Sequence, residues 1–356
     1  MTGYLLAGGG TAGHVNPLLA VADALVERDP EARVLVLGTR EGLEARLVPQ
    51  RGYELLTIPR LPFPRRPNAD ALRFLPRFRG AVARTADYVR EHGIDVVVGF
   101  GGYAAAPAYF AARRAGVPLA LHEANARPGL ANRLGARLTR HVGVTFEVTR
   151  LPHSRVVGMP LRKEIAQLDR AALRPQAARA FGLDPARPTL LVTGGSQGAR
   201  RLNETIADAR EAILATGFQV LHVQGPRGEL ADPGVDGYRL LDYCDRMDLA
   251  LALADFAVCR AGAGTVCELS AIGIPAVYVP FPIGNGEQRL NAAGVVEAGG
   301  GLLVADRDFT PAWARSVLVP LLADRSRVDA MAVAVTRVGT RDGAGNMVAL
   351  VQEALA

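Results

Sequence analysis

The chain has 356 residues, 49% of them apolar and 21% charged, and carries a net charge of +6. That length predicts two domains, each with enough apolar residues for its own core. The basic excess is local, since between Arg60 and Arg90 eight arginines face only Asp70 and Asp87; this excludes the broad basic footprint of a nucleic-acid binder.

The first half alternates strands and helices. Strands are expected at Tyr4–Ala7, Arg33–Gly38, Glu54–Ile58, Asp95–Gly99, Leu119–His122 and Val142–Val144. Runs such as DVVVG are what a parallel sheet covered on both faces requires. After the first strand comes the turn GGGTAGH (Gly8–His14). The helix behind it carries Val15, Leu18, Leu19, Ala22, Leu25 and Val26 on one face, at helical spacing. Prolines crowd the interval from Leu151 to Pro188, and the linker is placed near Val157–Leu161. The second half repeats the alternation, with strands at Thr189–Thr193, Gln219–Gln224, Phe256–Cys259, Ala276–Val279 and Leu302–Val304, and a helical tail from Asp342. Thr189–Gly198 (TLLVTGGSQG) restarts the strand–glycine–helix pattern about 185 residues after the first, which predicts two doubly wound α/β domains facing across a cleft at their strands' carboxyl ends.

Compartment signals are sparse. Cys244, Cys259 and Cys267 are odd in number without paired metal spacing, and read as reduced thiols of a cytosolic protein. The opening MTGYLLAGGG lacks the basic n-region of a signal peptide. The uncharged runs Val96–Ala112 and Leu269–Gly286 contain glycines or prolines, and read as buried strands and turns rather than membrane spans.

Each glycine-rich motif follows a strand. Gly8, Gly10 and Gly13 fit the dinucleotide spacing, but LGTRE puts no carboxylate at the second strand's tip for a ribose; Arg40, suited to a 2′-phosphate, keeps a nicotinamide reading open. His14 stands where the helix dipole disfavours imidazolium, which suits a neutral proton acceptor; the alternative is a histidine that only caps the turn. GGSQGA (Gly194–Ala199) is an anion loop or a ligand-free tight turn. Arg162, in GMPLR, reaches a phosphate or is an exposed hinge arginine. In AGAGTVCE, Thr265 and Glu268 have capping-box spacing, yet a carboxylate there also suits two ribose hydroxyls, and both roles can hold. Gln288 and Asn291 open a helix after PFPIGNGEQ.

GGGTAGHVNP, GFGGYAAAP, HEAN, GMPLR, GGSQGAR, CRAGAGTVCE and VPFP…EQRLNA occur in this order. Together they resemble, over nearly the whole chain, the bacterial N-acetylglucosaminyltransferase family that converts lipid I to lipid II in peptidoglycan synthesis. The resemblance implies a GT-B fold and inverting transfer from UDP-N-acetylglucosamine to the 4-hydroxyl of the lipid-linked N-acetylmuramoyl acceptor, with no cofactor and no essential metal. It also implies peripheral attachment to the cytoplasmic face of the membrane. It divides the chain into an acceptor domain, 1–160, rejoined by a C-terminal helix at 341–356, and a donor domain, 161–340. Residue by residue, it places Thr11, Ala12 and Gly13 near donor sugar and acceptor, and Asn125 on the acceptor side. Arg162 and Ser196 fall at the diphosphate, Cys244 with Ala263, Gly264, Thr265 and Val266 around uracil, Glu268 on the ribose and Gln288 on the sugar hydroxyls. Ala12, Cys244 and Glu287 depart from the residues commonest in the family. His14 is the expected general base and Glu123 the reserve.

Ala71–Arg84 (ALRFLPRFRGAVAR) sets Leu72, Phe74, Leu75 and Phe78 among Arg73, Arg77, Arg79 and Arg84. Pro76 and Gly80 are expected to interrupt a helix here. The stretch reads either as part of the first core with solvated arginines or as an anionic-membrane patch over Leu72–Arg84. The rival functions are another GT-B enzyme, such as a natural-product glycosyltransferase or sugar-nucleotide epimerase, an NADP-dependent oxidoreductase, and a non-catalytic nucleotide-binding module.

Overall fold

The structure, a computed structural model, describes residues 1–63, 69–195, 198–283 and 285–356, with backbone alone at 69–72. Ser196, Gln197 and the Leu72 side chain therefore lie outside the described residues. The chain divides into two compact units, Met1–Arg162 with Asp342–Ala356, and Lys163–Arg341.

The first unit holds β1 (Gly3–Ala7), β2 (Arg33–Gly38), β3 (Glu54–Thr57), β4 (Val96–Gly99), β5 (Leu119–Glu123), β6 (His141–Val144) and β7 (Ser154–Val156). They form one sheet in the order β3-β2-β1-β4-β5-β6-β7, with every pair parallel. Alternation along β1 explains its unbroken apolar run. Tyr4 and Leu6 pack with Val15, Leu18 and Val21 of helix Ala12–Arg28. Leu5 and Ala7 pack on the other face with Ala105, Tyr109 and Ala112 of helix Ala105–Ala115. Helix Gly343–Leu355 joins the first of these faces through Met347, Val348, Leu350 and Val351. Each such side chain contributes roughly 1.5–3 kcal/mol relative to exposure. Asp342 caps this helix by accepting from the Gly345 amide at 3.2 Å, and Asn346 Nδ2 donates to the Val157 carbonyl at 3.1 Å.

The second unit holds β8 (Thr189–Thr193), β9 (Gln219–Val223), β10 (Tyr238–Leu241), β11 (Phe256–Cys259), β12 (Ala276–Tyr278) and β13 (Gly301–Leu303). Their order is β10-β9-β8-β11-β12-β13, again all parallel. Leu202, Ile206, Ala209 and Ile213 of helix Arg200–Leu214 bury their predicted face against this sheet. In each unit the strand order reverses once, between β1 and β4 and between β8 and β11, and the loops at such a switch point open a crevice for ligands.

Two strands escaped the sequence reading. β7 and β10 are short edge strands, with Arg155, Val156 and Arg239 exposed, so neither carries the apolar run that marks a buried strand. A third difference is larger. Helix Ala69–Glu91 runs unbroken through Pro76 and Gly80. Both residues sit on its exposed face, where the carbonyl that proline leaves unpaired meets water. Phe74 and Phe78 turn inward against the core that includes Ala81 and Val89. They continue an aromatic ladder, with ring centroids 5.3 Å apart for Phe63–Phe74, 5.7 Å for Phe74–Phe78 and 5.6 Å for Phe78–Phe110. The two phenylalanines thus belong to the first core, while Leu75 is 51% exposed and Arg73, Arg77 and Arg79 lie outward. Arg84 stacks over Tyr88 at 4.2 Å and approaches Glu91 at 3.6 Å. Among the described residues no helix is long and apolar enough to cross a membrane.

Candidate active site

In the first unit, three loops meet at the carboxyl ends of β1, β4 and β5. Helix Ala12–Arg28 begins directly after the glycine turn, with extended Thr11 as its N-cap residue and Ala12 and Gly13 in its first turn. His14 follows, half-buried. Its Nδ1 lies 3.2 Å from the Gly9 carbonyl and 3.3 Å from Thr11 Oγ1. A carbonyl only accepts, so the bond to Gly9 assigns the proton to Nδ1 and leaves the lone pair on Nε2. The ring also borders Gly101, where an added Cβ would stand 3.1 Å from Nε2. Burial holds the imidazole below its ordinary range, opposed by the charge of Glu123, the bond to Gly9 and the charge of Glu44. A histidine that is neutral at pH 7 with Nε2 unprotonated has the form a general base needs.

Glu123 ends β5 and is buried. Its carboxylate accepts from the Asn125 amide at 2.9 Å, the Gly129 amide at 3.0 Å and Asn132 Nδ2 at 2.9 Å. The donor set ties the loop carrying Asn125 to the sheet, which makes Glu123 an organiser of that loop. Thr149 Oγ1 holds the Asn125 carbonyl at 3.2 Å. Asn132 was missed by sequence reasoning. It is buried, donates to the His122 carbonyl at 3.0 Å and accepts from the Tyr109 hydroxyl at 2.6 Å. Tyr103 of GFGGY, also without an assigned role, borders Gly10 and lies under the Arg60 guanidinium at 4.8 Å.

Glu44 is the other residue that sequence reasoning overlooked. It opens helix Glu44–Gln50, is fully buried, and its Oε2 accepts the Gly10 N–H at 2.7 Å. The glycine turn therefore already holds an anion. A dinucleotide pyrophosphate placed there would lose that amide and meet a carboxylate, which removes the structural basis of the nicotinamide reading.

In the second unit, Gly198 lies close to the backbone at the end of β9. An added Cβ at Gly198, whose φ is +74°, would strike the Gln224 carbonyl. Helix Arg200–Leu214 then starts without a side-chain cap, beside a cavity of about 480 Å³ lined by Gly198, Ala199, Arg227 and Leu230 among others. After β11, helix Ala263–Ile272 has Gly262 as its N-cap residue. Thr265 is the third helical residue, so Thr265 and Glu268 do not form a capping box; the glycine starts the helix one turn earlier than that spacing suggests. Ala263 and Val266 are buried, while Gly264, Thr265 and Glu268 are half-buried.

Gln288, in helix Glu287–Asn291, accepts the Phe281 amide through Oε1 at 2.9 Å, which points its carbonyl into the loop and leaves its amide nitrogen as the donor. Asn291 Nδ2 donates to the Ala261 carbonyl at 3.2 Å, joining this helix to the loop after β11. Arg260 braces the same region, donating to the Val279 carbonyl at 3.1 Å and Asp306 at 2.6 Å. Cys244 is buried after β10, and burial pushes its thiol up to about 11. Arg162 is the last residue of the first unit before the crossing.

The architecture has solved counterparts. A crystal structure of MurG from Acinetobacter baumannii is 28% identical and matches 99% of this chain and 100% of its own, with a TM-score of 0.81. A UDP-GlcNAc 2-epimerase from Neisseria meningitidis, 14% identical, shares the fold with a TM-score of 0.70, covering 99% of this chain and 100% of its own. The fold class is GT-B, with two doubly wound domains. Models of the glycosyltransferase family 28 N-terminal and C-terminal domains match residues 4–144 and 189–347, and the chain belongs to that family. Two relatives are named as UDP-N-acetylglucosamine--N-acetylmuramyl-(pentapeptide) pyrophosphoryl-undecaprenol N-acetylglucosamine transferases. The one from Leifsonia xyli is 69% identical over 355 residues, covering 100% of this chain and 99% of its own. The one from Streptomyces coelicolor is 54% identical over 356 residues, covering 99% and 98%.

Proposed function

We infer that this chain transfers N-acetylglucosamine from UDP-N-acetylglucosamine to the 4-hydroxyl of the N-acetylmuramoyl unit of lipid I, giving lipid II for peptidoglycan synthesis. The observation that carries the reading is the end-to-end match, at 69% identity, to a transferase named for that reaction.

The chemistry then assigns roles to the site residues. In an inverting transfer the acceptor hydroxyl attacks the anomeric carbon from the face opposite UDP; its proton needs a base and the departing diphosphate needs donors. His14, with Nε2 unprotonated, is the base. Thr11, Ala12 and Gly13 shape the turn around the reacting sugars, and the Glu123-bound loop presents Asn125 to the acceptor. On the donor side, the first amides of helix Arg200–Leu214, with Ser196 and Arg162, receive the diphosphate. Ala263 to Val266 and the backbone at Cys244 enclose uracil. With its capping role removed, Glu268 is assigned to the ribose hydroxyls, and the Gln288 amide to the sugar hydroxyls. No step in this scheme draws on a metal or cofactor.

The acceptor's lipid stays in the bilayer, so the protein works as a peripheral protein at the cytoplasmic face. The exposed Leu75 and Phe63, with Arg73, Arg77 and Arg79 nearby in sequence, supply apolar insertion and attraction to anionic headgroups, each basic residue contributing about 1 kcal/mol. Incubation with UDP-N-acetylglucosamine and a lipid I analogue tests the function, with UDP release that depends on both substrates as the expected result.

A further inference from the structure

The fully buried Glu44 has no part in the transfer as described above, and its surroundings are unusual. An ionised carboxylate enclosed by protein is costly unless it is hydrogen-bonded, and the three donors described for Glu44 are all neutral. Oε1 accepts the Thr39 amide at 2.9 Å and the Thr39 hydroxyl at 2.8 Å, and Oε2 accepts the Gly10 amide at 2.7 Å. The chain is shaped to admit this side chain. A Cβ at Gly9, Gly38 or Gly42 would collide with Glu44 atoms, so the last residue of β2 and one glycine from the loop after each of β1 and β2 leave the space it fills. Gly102, with φ +85°, lets the loop after β4 close onto the Gly9 backbone from the other side.

The N–H that Glu44 accepts and the C=O that His14 faces belong to one peptide group. Gly9 supplies the carbonyl, 3.2 Å from His14 Nδ1, and Gly10 supplies the N–H, 2.7 Å from Glu44. In a trans peptide these two groups point in opposite directions, and no peptide bond in the described chain is cis. Carboxylate, peptide and imidazole therefore stand in line. A carboxylate that accepts from an amide N–H polarises the group and makes its carbonyl a stronger acceptor.

We propose that Glu44 is the positioning residue of the His14 base, acting through the Gly9–Gly10 peptide. It holds that peptide in the orientation that keeps the His14 proton on Nδ1, and its charge supports the imidazolium formed when Nε2 takes the acceptor's proton. In a serine hydrolase triad a carboxylate contacts the histidine directly; here a peptide group stands between them. Glu123, the other carboxylate facing His14, spends its described bonds on Asn125, Gly129 and Asn132. Thr11 Oγ1, at 3.3 Å from Nδ1, is a neutral second neighbour. The proposal rests on His14 being the base of the transfer inferred above.

The test compares Glu44→Gln with Thr39→Val, which removes one donor to Glu44 but leaves the peptide link intact. Glu44→Gln is expected to lower kcat by on the order of 10–100-fold, a part of the 10²–10⁴ that a general base supplies. It should move the acid limb of kcat/KM to lower pH, because the imidazole loses a facing negative charge, and leave UDP affinity unchanged. Thr39→Val should keep kcat within about threefold and the limb in place. Nitrogen-15 NMR of the histidine rings reads the tautomer without any turnover. The expected signature is Nδ1–H for His14 in the wild type and a mixed or Nε2–H state in Glu44→Gln. An Nε2–H wild type, a Glu44→Gln variant with unchanged tautomer and acid limb, or equal kcat losses in the two variants overturns the proposal. A wild type that shows the Nδ1–H signature, lost in Glu44→Gln, but transfers no sugar would sink the functional reading and leave the relay standing.

Discussion

Replacing His14 with alanine removes the imidazole whose Nδ1 is fixed 3.2 Å from the Gly9 carbonyl. Loss of a general base slows a reaction by roughly 10²–10⁴-fold, equivalent to about 3–5 kcal/mol of transition-state stabilisation. The pH dependence gives this a sign. Burial keeps the His14 pKa below 6.5, so the base is mostly unprotonated at pH 7, and kcat/KM should be flat above neutrality and fall only below pH 6.5. In His14→Ala that acid limb should disappear, since the titrating group is gone. UDP affinity should hold, because its contacts are assigned to Arg162 and to residues of the second unit, and not to His14. Steady-state kinetics from pH 5 to 9, with added imidazole as a rescue arm, makes the measurement. A folded His14→Ala protein with near-normal turnover, or with the same acid limb as the wild type, would refute the assignment. In that event Glu123→Gln is the informative next variant, though loss of its three donors' partner should also loosen the Asn125 loop.

Glu268→Ala should weaken UDP binding by about 10–100-fold, from the loss of charge-assisted bonds worth on the order of 1.5–3 kcal/mol. Calorimetric titration of the folded variant with UDP makes the measurement, and unchanged affinity would contradict the ribose assignment. His122 and His222 are buried and each is held down to about 4, burial being the main cause. Between pH 6.5 and 4 the unfolded chain binds protons that the fold refuses, so stability is fullest above pH 6.5 and falls as pH drops. Each histidine accounts for about 3 kcal/mol over that range, and urea unfolding of His222→Gln should show a flatter decline than wild type; parallel curves would contradict this. For the membrane surface, Leu75→Ser/Arg77→Glu should reduce sedimentation with anionic vesicles, and salt should weaken wild-type binding. Unchanged, salt-insensitive binding by the folded double variant would sink that reading.

Much of the fold was legible because its determinants are local. The buried central strands are continuous apolar runs, such as Val96–Gly99 and Leu190–Val192, and the helices behind β1 and β8 show a single apolar face. Edge strands β7 and β10 lack that signal because only part of each is covered. Helix Ala69–Glu91 was obscured by Pro76 and Gly80, whose costs in a helix interior, roughly 3 and 1 kcal/mol, are local and are offset by the tertiary packing of Phe74 and Phe78 on the opposite face. At the site, the glycine motifs after the strands mark where ligands belong, and the sequence places His14 beside them. Glu44 could not be read from its neighbourhood. It lies 34 positions from the amide it accepts, and only the adjacency of β1 and β2 brings them together. Asn132 is hidden for the same reason, since its partners on Tyr109, His122 and Glu123 come from other elements.

The central claim is the transfer itself, and the product tests it most directly. The protein is incubated with UDP-N-acetylglucosamine and a lipid I analogue, and the product is isolated for mass spectrometry and NMR of the new glycosidic bond. The account predicts a β-1,4-linked N-acetylglucosaminyl–N-acetylmuramoyl disaccharide on the lipid diphosphate, with one UDP released per linkage. An unmodified acceptor, an α linkage, or conversion of the donor to its 2-epimer without acceptor would contradict it.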